Sequence, residues 1–358
     1  MTSPLAEIIR SEIVAAGGAI SFAGYMELAL YHPEFGYYEQ SPANVGRSGD
    51  FYTSVSVGPL FGELLAFHFV HRLLDRCSPP FEIVEAGAHD GRLASDILSA
   101  IRRFAPEKAA SVRYVLVEPS ARRQSWQRET LKEFGDQVAW HSQLPETING
   151  VVLSNELLDA FPLERWRWNS ADRRWIEQGV GSSPDGFEWK SLPTGQPADL
   201  DIPEELARVL PDGFTRERCP SALNWWASAA RSLRTGWLLA FDYALAAEEF
   251  LQPSRAGGTL RGYRNHRFAD DLLGSPGEID LTAHVNFSAV RETGEAAGLS
   301  TSYDGTQASF LMNIFGDTLN AADRFGVWTP ARTRAFQTLT HPQHLGRSFR
   351  VLMQGRGV

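Results

Sequence analysis

Apolar positions recur at helical spacing from the start of the chain. Leu5, Ile8, Ile9, Ile13 and Val14 share one face and predict a helix over 4–16. Ser21 is placed to cap a second helix running to Leu30, which Pro33 cannot continue. Residues 34–56 then lose periodicity and gather Gly, Ser, Pro and Tyr, as long functional loops often do. An amphipathic helix is predicted over 58–76. After it the apolar run Phe81, Ile83, Val84 reads as a strand that ends in Glu85 and meets the turn Gly87-Ala88-His89-Asp90-Gly91. Helical spacing returns with Leu93, Ala94, Ile97 and Leu98. Strand, tight turn and helix in this order are how an open α/β sheet presents backbone N–H groups to a nucleotide-like ligand.

The same alternation continues. Residues 113–118 read as a buried strand closing on Glu118 and Pro119, followed by a helix over 121–134 and a short strand over 138–141. A further strand from Gly150 carries Asn155, Glu156 and Asp159 at its carboxyl end, the edge where open sheets bind ligands. Period-two alternation around a turn then predicts a β-hairpin over 165–180, and Trp166, Trp168, Trp175 and Trp189, clustered in this region, are expected to pack on it, a binding surface being the alternative. Residues 181–220 read as loop with one short helix over 204–210. A helix over 221–233 and a strand over 236–243 resume the sheet and bring Asp242 and Tyr243 to its edge. A polar stretch over 253–286 carries the basic run Arg261, Arg264, His266 and Arg267 as well as Asp280 and His284. A helix (287–297), a strand (299–303), a helix (306–319) and a last strand (347–353) complete the pattern. The fold expected is α/β: a seven-stranded Rossmann-like sheet with helices on both faces. Residues 1–78 form an N-terminal cap and 79–358 the core, with insertions at about 163–220 and 253–286.

Composition narrows the partners. The net charge is −9, which disfavours nucleic acid, since phosphate binding relies on basic surface. A basic protein substrate or a small molecule fits the sign better, and a homodimer stays open. The two cysteines, Cys77 and Cys219, stand in no metal-ligand spacing, so no metal site is expected. No apolar stretch approaches the ~20 residues of a membrane span. Residues 1–10 carry neither a secretory nor a transit pattern, so a cytoplasmic protein is expected.

Two ligands compete for the glycine turn. A dinucleotide fingerprint needs G-x-G-x-x-G, and His89 and Arg92 break it at two places. The S-adenosylmethionine (SAM) version has an acid two residues before its first glycine, and Glu85, Gly87 and Gly91 satisfy it, with His89 at the middle glycine. Glu118, ending the next strand, is placed to take ribose hydroxyls, so a SAM-dependent methyltransferase fold is favoured.

Several stretches then point to one family. Tyr25-Met26-Glu27-Leu28-Ala29-Leu30-Tyr31-His32-Pro33-Glu34-Phe35-Gly36-Tyr37-Tyr38, Gly49-Asp50-Phe51-Tyr52-Thr53-Ser54, Val117-Glu118-Pro119-Ser120, Ser154-Asn155-Glu156-Leu157-Leu158-Asp159-Ala160-Phe161-Pro162, Gly258-Thr259-Leu260-Arg261 and Asp280-Leu281-Thr282-Ala283-His284-Val285 resemble the MidA family over nearly the whole chain. The resemblance implies a methyltransferase core with insertions and SAM as cofactor. For mitochondrial members it implies methylation of an arginine on a complex I subunit. The chain departs from the family at His89 and at Ala244, where glycine is usual. Histidine tolerates the left-handed conformation better than most residues, so the turn is expected to survive with the His89 ring beside the methionine moiety.

The cofactor is expected to meet Glu85, Gly87, Ala88, His89, Gly91, Glu118, Pro119 and Asn155, with Asp50, Thr53 and Ser54 closing over it. Glu156, Asp159 and His284 are the candidate catalytic groups. Paired carboxylates suit a guanidinium, which stays protonated and must be held by its fork. Asp242, Tyr243, His266 and Asp280 are the candidate substrate contacts. Plainer roles remain beside these: a turn carboxylate for Asp159, a hydrogen-bonded structural histidine for His284, a solvated face for the basic run. Three functions follow: a protein methyltransferase acting on arginine, a small-molecule O- or N-methyltransferase, and a non-catalytic SAM-binding assembly factor.

Overall fold

A computed structural model of the chain describes residues 3–41, 53–77, 79–264 and 267–358. It forms two compact units: residues 1–44, 159–223 and 245–286 make one, and 45–158, 224–244 and 287–358 the other.

The second unit is the open sheet that the sequence predicts. Its strands, in chain order, are β1 (Phe81–Ala86), β2 (Val112–Val117), β3 (Val138–His141), β4 (Ile148–Asn155), β5 (Leu233–Leu245), β6 (Ser300–Thr306) and β7 (Phe349–Arg356). Across the sheet they run β3-β2-β1-β4-β5-β7-β6. β1 to β5 pair in parallel, whereas β7 is antiparallel to both β5 and β6. The chain winds away from β1 in both directions, so β1 and β4 flank the point where strand order reverses, the usual ligand crevice of such sheets. Register decides what meets there. Ala86 lies opposite Val117 and Ser154, and Asn155 lies opposite Phe241. The turn after β1, Glu118 after β2, Asn155 at the end of β4 with Glu156 just beyond it, and Asp242 late in β5 therefore emerge at one edge.

Helices α1 (Leu60–His68), α2 (Arg92–Phe104), α3 (Ala121–Thr130), α4 (Gln307–Asn320) and α5 (Pro330–Thr340) belong to this unit. α2 follows the amphipathic pattern, burying Leu93, Ala94, Ile97, Leu98 and Ile101. The 58–76 segment differs from its prediction. Residues 60–67 are buried all round, and the α-helix gives way to a π-turn at Phe69–Leu73 and a 3-10 turn at Leu74–Arg76. Gly62 permits this depth, because a Cβ there would lie 2.5 Å from the Asp96 Cβ on α2. α5 was not foreseen, since among its residues only Phe336 and Leu339 are buried and its apolar stripe is thin.

In the first unit Ser3 and Ser21 cap the helices Pro4–Ala15 and Phe22–Tyr31 through bonds from Ala6 N–H (3.2 Å) and Gly24 N–H (3.1 Å). The strand Ala19–Ser21 pairs with Arg174–Ser183, which also holds Glu164–Asn169 and Gly186–Ser191, and Thr215–Arg218 extends the sheet. The 181–220 stretch, read as loop and helix, thus contributes two strands. Their side chains are mostly charged or partly exposed, which hid the alternation. Trp166, Trp168 and Trp175 do pack together, with Leu200, Leu210 and Phe214, whereas Trp189 packs in a separate cluster, its ring 5.0 Å from that of Phe22. The polar 253–286 stretch holds a small antiparallel sheet of Arg261–Arg264, Arg267–Phe268 and Asp280–Thr282.

Candidate active site

The turn after β1 is built on three left-handed residues: Gly87 (φ 74°), His89 (φ 46°) and Gly91 (φ 82°). The expectation that histidine could stand in the middle position holds. A Cβ on Gly87 would lie 2.9 Å from Leu157 Cδ1, so glycine is required there by space as well as by conformation. Gly91 N–H donates to the Ala88 carbonyl at 2.7 Å, closing the turn, and Gly91 then starts α2 without a side-chain cap. The His89 ring lies beside Asp90, with Nδ1 3.8 Å from Oδ1, and 6.4 Å from the Trp126 ring.

Beneath the turn Glu85 is buried and accepts the Tyr114 hydroxyl at 2.6 Å. The structure thus makes Glu85 a support under the turn. Burial pushes its pKa up to about 7. Between pH ~4 and ~7 the unfolded chain gives up this proton while the folded chain keeps it, so stability falls as pH rises across that window and stays reduced above it. Glu85→Gln, which keeps an acceptor for Tyr114, is expected to match the wild type in melting temperature at pH 4.5. At pH 8 it should exceed it by an amount corresponding to roughly 3 kcal/mol at most. An equal offset at both pH values would refute the assignment.

Glu118, 2% exposed, is held from three sides. Its Oε1 accepts Ser120 N–H and the Arg123 guanidinium, each at 2.9 Å, and its Oε2 accepts Gln127 Nε2 at 3.2 Å. Pro119 leads into Ser120, which caps α3 through the Arg123 N–H.

At the end of β4, Glu156 adopts φ 54°. A left-handed glutamate is uncommon and persists only where the surroundings enforce it. Glu156 N–H donates to the Phe241 carbonyl at 2.9 Å, and Asn155 Nδ2 donates to Glu156 Oε1 at 3.0 Å. Asp242 fixes the rest of the turn. Fully buried, its Oδ2 accepts Leu157 N–H (3.2 Å) and Leu158 N–H (2.8 Å). Burial, with the Glu156 charge adding to it, pushes its pKa up to about 7. Asp242, expected to touch substrate, instead braces the turn that presents Glu156. Tyr243 packs at a tilt against Phe349, ring centroids 4.1 Å apart. The Ser54 hydroxyl is buried on Gln307 Oε1 (3.1 Å), and Thr53 exchanges bonds with Ser56. Asp50 and His266 lie outside the described residues.

The first unit gathers the other candidates. Asp280 is buried and accepts the Tyr38 hydroxyl at 2.7 Å; the Tyr31 ring lies 5.5 Å from the Tyr38 ring. Asp159 is buried in the same unit, and its carbonyl accepts Ala283 N–H at 3.1 Å. His284 N–H bonds Thr259 Oγ1 at 3.2 Å, and burial, then Arg255 and Arg261, lower the imidazole pKa to about 4. Arg264 and Arg267 of the basic run line a hollow of about 610 Å³ together with Phe268, Asp271, Ser275 and Ile279. Sequence reasoning missed Tyr114, Tyr38 and Gln127. Both tyrosines lay within recognisable stretches; nothing marked Gln127, one of two glutamines in a mostly polar helix.

A protein-family model described as "Putative S-adenosyl-L-methionine-dependent methyltransferase" matches residues 64–303. The chain belongs to that family. A Burkholderia thailandensis protein crystallised with S-adenosyl-homocysteine superposes with a TM-score of 0.86 at 31% identity, covering 100% of this chain and 95% of that one. The Drosophila melanogaster "Protein arginine methyltransferase NDUFAF7 homolog, mitochondrial" is 29% identical over 99% of this chain and 85% of its own length. Its Mus musculus counterpart is 28% identical over 94% and 81%. The protein is thus a SAM-dependent methyltransferase with SAM as cofactor. The site residues fit it: α2 begins uncapped behind the turn, and Asn155 Oδ1, buried at the same edge, finds no donor among the described residues. The mitochondrial relatives overturn the expectation of a cytoplasmic protein. No helix among the described residues is long and apolar enough to cross a membrane.

Proposed function

We propose that this methyltransferase acts on an arginine side chain of a protein. The observation that carries the reading is the strained turn after β4, which presents the Glu156 carboxylate at the cofactor edge of the sheet. The names of the fly and mouse relatives, protein arginine methyltransferases, supply the substrate class. When bound, SAM supplies a methyl group activated on a sulfonium and departs as a neutral thioether, so no acid is needed for the leaving group. What remains for the chain is to bind, orient and remove a proton. Glu118 would accept the ribose hydroxyls, the 87–91 turn and the start of α2 would hold the amino-acid end, and Asn155 Oδ1 would accept a donor from the ligand. A guanidinium is protonated at neutral pH and can attack only as an N–H proton leaves. Glu156 grips one edge of the fork and takes that proton.

Calorimetric titration with SAM should show binding. Incubation with methyl-labelled SAM and cell extract should then label a protein band that yields methylarginine on hydrolysis. Binding followed by label only in small molecules would refute the protein substrate, leaving the SAM assignment intact.

A further inference from the structure

Gln127 is the buried residue of the otherwise polar helix α3. A primary amide out of water is costly unless its donors and acceptor are paired. Here Nε2 donates to the His89 carbonyl at 3.1 Å and to Glu118 Oε2 at 3.2 Å, while Oε1 accepts Trp140 Nε1 at 3.1 Å. These partners come from three segments: the turn after β1, the acid after β2, and β3. The Gln127 backbone also walls the turn, since a Cβ on Gly91 would come within 3.4 Å of its Cα.

His89 sits in the left-handed region, which a side chain other than glycine occupies readily only when its surroundings hold it. The bond from Gln127 to the His89 carbonyl is such a hold. We infer that Gln127 is a positioning residue of the cofactor site: it fixes the His89 peptide in its left-handed conformation and aligns the second oxygen of Glu118, so turn and acid are set before the ligand arrives. Preorganisation of this kind raises affinity by removing an ordering cost from binding. The Glu118 half of the inference rests on the ribose role proposed above; the His89 half stands without it.

The test uses the full chain with Gln127→Met, close in volume and unable to hydrogen-bond through nitrogen. SAM affinity by calorimetry is expected to fall at least tenfold, and the amides of residues 88–91 in the cofactor-free protein to exchange faster. His89→Gly separates positioning from general damage, because glycine needs no outside hold. The double variant H89G/Q127M is expected to recover threefold or more of the lost affinity. Wild-type affinity and exchange in Gln127→Met would overturn the inference, as would a double variant as weak as Gln127→Met alone. Should Gln127→Met fail to fold, Gln127→Glu keeps the acceptor for Trp140 and turns an oxygen on the His89 carbonyl and Glu118, and the same comparison applies. Should the wild type not bind SAM, that failure falls on the cofactor assignment, and exchange at the turn still decides the role of Gln127.

Discussion

Glu118→Ala is expected to weaken SAM binding by about 100-fold and to lower the melting temperature of the cofactor-free protein. The two effects have separate causes. Bonds between a carboxylate and ribose hydroxyls are charge-assisted, worth about 1.5–3 kcal/mol each, and one or two of them account for the loss of affinity. The loss of stability comes from what the carboxylate holds in the free chain. The Arg123 side chain, 12% exposed, pairs with Glu118 Oε1, and removing that carboxylate takes this ion pair away from a largely buried guanidinium. Glu118→Gln keeps the shape and an acceptor but gives up the charge, so it should fall between wild type and Glu118→Ala in both measurements. Calorimetry with SAM and with methionine alone gives the control, since the ribose is absent from the second ligand and its weak binding should be unchanged. Wild-type SAM affinity in Glu118→Ala would remove the ribose assignment altogether.

The elements of the sheet were legible because each is driven by a local pattern. Apolar runs ending in Glu85, Glu118 and Asn155 gave β1, β2 and β4, and the glycines of the 87–91 turn can be read directly from their spacing. Register then brought those three ends to one edge, which no single strand could announce. The roles of individual acids were less legible, since type and position in a strand do not reveal what lies beneath. Asp242 and Glu156 both belong to the same sheet edge. One is fully buried and spends Oδ2 on two backbone amides, whereas the other is half-exposed and carries its carboxylate beside Asn155. Burial alone separates bracing from presentation. Gln127 was invisible for a related reason. Its significance lies in partners on three different segments, and the helix that carries it buries no other residue.

Glu156→Gln is expected to lower methyl transfer by about 10²–10³-fold, the range seen when one group stabilising charge in the transition state is removed. SAM affinity should change little, because the cofactor contacts assigned to the chain lie on Glu118, Asn155 and the 87–91 turn. Stability gives an independent sign. The Glu156 charge helps raise the Asp242 pKa, so it repels a buried carboxylate that must accept Leu157 and Leu158 N–H. Removing that charge should lower the Asp242 pKa and leave the melting temperature at pH 8 no lower than wild type. Loss of activity in Glu156→Gln would then not come from loss of structure. Glu156→Gly divides the remaining possibilities. Glycine adopts φ 54° without strain, so this variant keeps the turn and lacks only the side chain. If the carboxylate grips the substrate and takes its proton, Glu156→Gly is as inactive as Glu156→Gln. If Glu156→Gly transfers methyl at the wild-type rate, the turn matters only through its backbone, and the proton must leave through another group.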